Sequence, residues 1–221
     1  MEGKVDEIFE NVFRINSKIA TLNLAPGKAV YGEELIRIGD FEYRMWNPYR
    51  SKLAAAIING LKELYIKKGS HVLYLGAANG TTCSHVSDII GKDGVVFCVE
   101  ISERSMRDLI KVCEKRSNMI PILADARNIS AYEDDVGTVD AIYEDVSSRD
   151  QADILLANGK MLRKGGFAYV AIKSQSISTA KSPSEIYEEF INKVAKSFRL
   201  KERVKLEPFH KKHLFAVFEK V

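Results

Sequence analysis

From residue 71 onward, hydrophobic and polar positions alternate between two regimes. Short, nearly unbroken apolar runs ("HVLYL", "VVFCVE", "MIPILAD", "DAIYEDV", "GFAYVAIK") are separated by longer stretches near 81–91, 102–116 and 150–162, with another at 183–198, where the pattern is helical. A strand with no polar face must be covered on both sides. The order therefore predicts an α/β fold, a parallel sheet with helices packed on each face. The end of the chain differs. "RLKERVKLEPF" and "HLFAVFEKV" lie too close together for a parallel crossover and must pair antiparallel. Seven strands result, mostly parallel, with an antiparallel strand at the C-terminus.

The first fifty residues alternate as half-buried strands do: "IFENVFRI", "KIATLNLA" and "ELIRIGDFEYRMW", the last with Gly39-Asp40 as a hairpin turn. Asn47-Pro48 closes this β-rich piece. "SKLAAAIINGLKEL" then reads as a helix with Ser51 as N-cap and apolar residues at 53, 57, 58, 61 and 64. The expected organisation is a small β-rich N-terminal domain over residues 1–50 and a larger domain over 51–221.

Composition narrows the class. With 33 Lys and Arg against 30 Asp and Glu, the net charge of +3 is too small to argue for nucleic-acid binding by itself. Seven of the basic residues fall between Lys196 and Lys212, against Glu202 and Glu207. That cluster reads equally well as a solvated strand face or as a patch for phosphates. Cys83, Cys98 and Cys113 are odd in number and unpaired in spacing, so reduced core thiols are expected, with no zinc site. No apolar run is long enough to span a bilayer, and the start lacks a secretory apolar region. A cytoplasmic protein is expected.

The chemistry gathers around "HVLYLGAANGTTCSHV". Dinucleotide loops carry GxGxxG, whose middle glycine lets the backbone approach a pyrophosphate. Here Gly76 and Gly80 are present, but Ala78 takes the middle position and Thr81 the last. A cofactor without phosphates, S-adenosyl-L-methionine, fits better. Ligands of open α/β sheets sit at the carboxyl ends of the strands. Glu100 ends the second strand, suited to a ribose diol; Asp125 ends the third, near an adenine amino group; Asp145 ends the fourth. Lys173 closes the fifth beside the same edge. Spacing alone does not bring Lys52 or His213 there. The four histidines show no metal-ligand spacing, so no metal is expected.

"WNPYRSKLAAAI", "LYLGAANGTTCSHVSDIIG", "YEDV", "AIKSQSI" and "LEPFHKKHLFAVF" together resemble the archaeal-type fibrillarins, closely from about Leu24 to Val221. The resemblance implies a class I (Rossmann-like) methyltransferase that transfers methyl from S-adenosylmethionine to the ribose 2′-hydroxyl of rRNA or tRNA. It also implies targeting by box C/D guide RNA, alongside a Nop-family scaffold protein and a kink-turn-binding ribosomal-protein homologue. The Gly/Arg-rich tail of eukaryotic members is absent.

Carried over by motif, cofactor contacts fall on Gly76, Thr81, Thr82, Glu100, Ile101, Asp125, Ala126, Asp145, Val146, Ser147 and Ser148. The family's Lys-Asp-Lys-His constellation falls on Lys52, Asp145, Lys173 and His213. Lys173 then serves either as a cation for the developing alkoxide or as the base. Asn79 stands where the family has Ser, and "DVSS" replaces "DVAQ", with Gln151 three residues on as a candidate stand-in for the missing glutamine. Three other readings compete. A nicotinamide-dependent oxidoreductase conflicts with Ala78 and with the terminal hairpin, and a non-catalytic RNA-binding subunit with the intact Lys52, Asp145 and Lys173. A small-molecule methyltransferase lacks a segment long enough for a lid.

Overall fold

The computed structural model describes residues 4–221. Five antiparallel strands form the first sheet: β1 (Val5–Phe9), β2 (Val12–Ile15), β3 (Lys18–Leu22), β4 (Leu35–Ile38) and β5 (Phe41–Met45), in the order β1-β2-β3-β5-β4. Gly39-Asp40 forms the two-residue turn expected, with Ile38 opposite Phe41. "IFENVFRI" is not one strand but two. Phe9 pairs with Val12, and Asn11 adopts a left-handed φ of +59° between them. Asparagine tolerates that conformation, so an asparagine inside an alternating run is the turn signal.

Helix α1 (Lys52–Ile58) starts at Ser51, whose hydroxyl accepts the Ala54 N–H at 3.3 Å. It stops six residues short of the helix predicted from periodicity. Gly60 takes φ +99°, and Leu61 and Leu64 remain buried without being helical. The apolar spacing reflects burial there, not helix.

The second sheet comprises β6 (His71–Leu75), β7 (Val95–Glu100), β8 (Met119–Leu123), β9 (Val139–Glu144), β10 (Leu162–Lys173), β11 (Phe198–Lys205) and β12 (His213–Lys220). Helices α2 (Thr81–Ile90), α3 (Glu103–Cys113), α4 (Glu133–Val136), α5 (Gln151–Asn158), α6 (Ser174–Ile177) and α7 (Pro183–Val194) connect them. The strand order is β11-β12-β10-β9-β6-β7-β8. β6 to β10 are mutually parallel, and β12 lies antiparallel between β10 and β11. The chain starts in the middle, winds outward through β7 and β8, and returns to place β9 on the other side of β6. That reversal opens a crevice beyond the carboxyl ends of β6 and β9.

Side chains of successive strand residues enter opposite cores. Val72, Tyr74, Ala141, Tyr143, Tyr169, Ala171 and Phe215 face α1 and α2, while Leu73, Leu75, Ile142, Val170, Ile172 and Leu214 face α5 and α7. Val12, Ile19 and Trp46 of the first sheet join the former core. α2 is therefore buried on both sides, and its polar residues meet the first sheet. Arg44 bridges Glu33 at 2.6 Å and Asp88 at 2.8 Å, and Arg116 also reaches Asp88, all with essentially no solvent contact. His85 stacks on Trp46 at 4.6 Å. Thr21 donates its hydroxyl to Asp88, so its oxygen accepts from His85 Nδ1 at 2.7 Å, and His85 Nε2 accepts from Tyr31 at 2.9 Å. His85 is thus held neutral, its pKa driven well below 6.5 by burial and by the nearby arginines.

Candidate active site

Gly76 follows β6 with φ +83°, and a Cβ there would lie 2.9 Å from the carbonyl oxygen of Asp145. Only glycine lets the two strand ends approach this closely. Ala78 occupies a left-handed φ of +49°, a conformation costing an L-residue about 1–2 kcal/mol. Its N–H donates to Glu100 Oε2 at 2.8 Å, which offsets that cost. Glu100 Oε1 accepts the Ser102 N–H at 2.8 Å. Each oxygen of this buried carboxylate thus has one backbone donor and retains a lone pair. Glu100, Ile101, Asp125, Ala126, Asp145 to Ser148 and Lys173 line one cleft of about 480 Å³.

Asp145, one residue past β9, is the hinge of the site. Its Oδ2 accepts from Lys52 Nζ at 2.9 Å, and Lys173 Nζ lies 2.7 Å from Oδ1. The latter contact is ionic rather than a well-aligned hydrogen bond, because Oδ1 has no aligned donor. Lys173 donates instead to the carbonyl oxygen of Asp145 at 2.7 Å and to Ser147 Oγ at 3.0 Å. Burial pushes the Asp145 carboxyl up, but the charges of Lys52 and Lys173, with the hydrogen bond from Lys52, outweigh it and hold it below the usual carboxylate range. Burial lowers the Lys173 pKa, opposed by Asp145 and reinforced by Lys52.

His213 sits directly across from Lys173 in the β10–β12 pairing. Its Nδ1 lies 2.7 Å from the Lys211 carbonyl oxygen, and burial holds its pKa below 6.5. His210, with its ring centroid 6.0 Å away, donates Nε2–H to the Pro48 carbonyl oxygen at 2.8 Å.

Lys52 arrives here because it is the first residue of α1, and the Thr82 hydroxyl, at the start of α2, donates to Ser51 at 3.0 Å. The Thr82 side chain, expected to meet the cofactor, is therefore engaged with Ser51, leaving its backbone N–H in the first turn of α2. Thr81 lies on the more open side of the glycine turn. Asn79 reaches away from the cleft to Asp108 Oδ2 at 2.8 Å. Gln151 does not stand in for the family glutamine at Ser148. It is fully buried, donates to the Ala171 carbonyl and accepts the Lys173 N–H, both at 3.1 Å, and so fixes the strand end carrying Lys173. Asp125 lines the cleft with its carboxylate clasped by Arg127, at 2.6 Å from one guanidinium nitrogen.

Sequence reading missed Asn158, whose amide donates to the Ala126 carbonyl at 2.9 Å and so fixes Ala126 in the wall of the cleft, and Tyr132, whose hydroxyl donates to Asn158 Oδ1 at 2.7 Å. It also missed the Arg44–Asp88–Arg116 network. The available signal was a charge inside an otherwise buried pattern, Arg44 in "FEYRMW" and Asp88 in "SHVSDIIG". Of the basic cluster between Lys196 and Lys212, Arg199 and Lys201 pair with Glu219 and Arg203 with Glu188, while Lys196, Lys205, Lys211 and Lys212 are exposed with no carboxylate partner among the described residues. The three cysteines are free thiols, two of them buried. Among the described residues no group of three or more His, Cys, Asp or Glu is arranged to hold a metal, and no helix is long and apolar enough to cross a membrane.

A central parallel sheet with this reversal and a closing antiparallel strand is a Rossmann-like methyltransferase fold, shared with solved fibrillarins. The fibrillarin family model matches residues 3–220. The fibrillarin-like rRNA/tRNA 2′-O-methyltransferase of Thermococcus onnurineus is 50% identical over 206 residues, 93% of this chain and 91% of its own. The solved Aeropyrum pernix fibrillarin, natively bound to S-adenosylmethionine, is 43% identical with a TM-score of 0.91, covering 97% of each chain. A fibrillarin solved in complex with Nop5p is 32% identical with a TM-score of 0.89, over 98% of this chain and 100% of that one. The chain belongs to the fibrillarin family.

Proposed function

We propose that this chain methylates the 2′-hydroxyl of target riboses in rRNA and tRNA, with S-adenosylmethionine as methyl donor, inside a guide-RNA particle built on a Nop-family scaffold and a kink-turn-binding protein. The observation that carries the reading is the Lys52–Asp145–Lys173 cluster at the mouth of the cofactor cleft, with His213 beside it.

The cleft suits the cofactor chemically. The free lone pairs of Glu100 suit a ribose diol, and the exposed Ile101 and the wall at Ala126 suit the faces of an adenine. Asp125 accepts from the amino group while Arg127 holds it. Gly76, Thr81 and the backbone of Thr82 border the amino-acid end, and Val146 to Ser148 close the near side. S-adenosylmethionine, when bound, supplies a methyl group already activated on a sulfonium.

The remaining task is to orient the RNA hydroxyl and ease loss of its proton. Lys173 is held against three oxygens of Asp145 and Ser147, which favours its ammonium form. It acts as the cation that stabilises the developing alkoxide. His213 has the opposite character. A carbonyl oxygen only accepts, so Nδ1 carries the hydrogen toward Lys211 and Nε2 keeps its lone pair. Burial keeps the ring neutral near pH 7, and Nε2 takes the proton that leaves the ribose oxygen.

The test is methylation reconstituted from purified components with labelled methyl donor. Label is expected in 2′-O-methylnucleoside only when guide RNA and both partner proteins are present. Efficient site-specific methylation of naked RNA by the chain alone would refute the particle, and label in a base would refute the site.

A further inference from the structure

A second cleft, of about 700 Å³, opens on the other side of the glycine turn and meets the cofactor cleft at Lys52, Gly76, Ala78 and Asp145. Three separate pieces of chain wall it: residues 28–31, which follow β3; Arg50, just before α1; and the C-terminal half of α3 with Lys115 and Arg116 beyond it. Its lining holds six cationic residues, Lys28, Arg50, Lys52, Lys111, Lys115 and Arg116, against two carboxylates, Asp108 and Asp145. The lining therefore carries a formal excess of four positive charges, directly beside the proposed reaction centre.

The pairing pattern sharpens the point. Arg116 is buried against Asp88, and Lys111 pairs with Asp108. Lys28, Arg50 and Lys115 are exposed at the rim, and among the described residues none has a carboxylate within ion-pair distance. Arg50 is nonetheless held in place, its guanidinium 5.2 Å from the centroid of Tyr31. Tyr31 is itself hydrogen-bonded to His85 at 2.9 Å. On β11, by contrast, Arg199 and Lys201 share Glu219 and Arg203 pairs with Glu188, and that strand lies at the far edge of the sheet from the glycine turn.

We propose that this cleft receives the phosphodiester backbone of the substrate strand next to the target ribose, with Lys28, Arg50 and Lys115 contacting phosphates. The inference rests on the proposed function, because it is a ribose held at Asp145 and Lys173 that brings phosphates to this side. The cofactor leaves the rim to another occupant: its nucleoside matches the cleft holding Glu100 and Asp125, and its amino-acid end would take the inner part of this one at Gly76, Thr81 and Thr82, whereas Lys28, Arg50 and Lys115 stand exposed at the rim. A flat acidic protein face fits a concave, three-walled cleft less well than a strand of charges does. Phosphate contacts position a nucleic acid without reading its sequence, which suits an enzyme whose target is chosen by pairing elsewhere.

The experiment uses the full chain with S-adenosylmethionine and a short single-stranded RNA, followed by fluorescence anisotropy across a salt series. Each phosphate contact contributes about 0.7 to the slope of log affinity against log salt for a single strand. The K28Q/K115Q variant should bind RNA at least fivefold more weakly at low salt and lose about 1.4 from that slope. An R199Q/R203Q variant should stay within twofold of wild type, as should the cofactor affinity of K28Q/K115Q. In lysine-reactivity footprinting, RNA should protect Lys28 and Lys115 and leave Lys196 and Lys212 reactive. Unchanged RNA binding by K28Q/K115Q, or an equal loss in R199Q/R203Q, would overturn the assignment. A fall in cofactor affinity would give the cleft to the cofactor, and loss of scaffold-protein binding with RNA binding intact would give it to a protein; either result also overturns it. None of these readouts is methyl transfer, so failure of the enzymatic reading would show separately, in the reconstituted reaction.

Discussion

Glu100 gives the most quantitative handle on the cofactor cleft. Its two oxygens each accept one backbone N–H at 2.8 Å, from Ala78 and Ser102, and each has one further lone pair for a ribose hydroxyl. In Glu100→Gln one oxygen becomes an NH₂ group of nearly the same size. That group cannot accept from a backbone N–H or from a ribose hydroxyl, and it removes the negative charge from the acceptor that remains. A hydrogen bond to a charged group contributes about 1.5–3 kcal/mol. Losing one such contact corresponds to a drop in affinity of roughly tenfold to 150-fold. Titration calorimetry with S-adenosylmethionine measures it directly. Because the substitution also disturbs the turn at Ala78, the decisive comparison is a cycle with a cofactor lacking one ribose hydroxyl. Wild type should prefer the intact cofactor, and Glu100→Gln should lose most of that preference, with a coupling of at least about 1 kcal/mol. A coupling near zero in a folded variant would show that Glu100 shapes the loop and does not read the ribose.

The buried seam between the sheets carries two stability predictions. His85 is neutral in the folded protein and protonates freely when unfolded, so the unfolded state binds the extra proton as pH falls below about 6.5. Denaturant titrations should therefore show stability falling on acidification, by up to about 1.4 kcal/mol per pH unit from this residue. In His85→Gln that slope should shrink although the protein is less stable throughout; an unchanged slope would assign the acid loss elsewhere. Asp88→Ala strips the shared partner from Arg44 and Arg116, both buried, and should cost about 3–5 kcal/mol. Thermal or chemical unfolding of that variant within about 1 kcal/mol of wild type would contradict the reading of the network as a set of dry charges.

The strands of the large sheet were legible because they are buried on both faces, and so short an unbroken apolar run suits a central strand better than a helix. "HVLYL" and "VVFCVE" match β6 and β7 residue for residue. Element ends were less legible where apolar spacing and backbone conformation part company, as at Gly60, where burial continues after the helix stops. The acids at strand ends could be placed by topology alone, since the carboxyl edge is defined by strand direction. Lys52 and His213 could not. They reach Asp145 and Lys173 through a helix cap and a strand register that pair residues distant in sequence, and only the resemblance to the family pointed to them. Charge was the least legible feature. Three cations of the visible run on β11 are paired with Glu188 and Glu219, which lie elsewhere in the sequence, whereas the unpaired cations of the second cleft are dispersed from Lys28 to Lys115. A run of like charges in sequence says little about field until its partners are known.

The central claim is that the Asp145 cluster acts on an RNA hydroxyl, and single-turnover methylation with a preassembled particle and saturating cofactor tests it most directly. Lys173→Ala should bind cofactor and assemble normally yet lose about a hundredfold to ten-thousandfold in rate, the range for electrostatic or acid–base assistance. Wild type should methylate a target ribose and leave the same RNA untouched when that one nucleotide is 2′-deoxy. A Lys173→Ala rate within about threefold of wild type, far below that range, or methyl transfer to the deoxy target, would contradict the account.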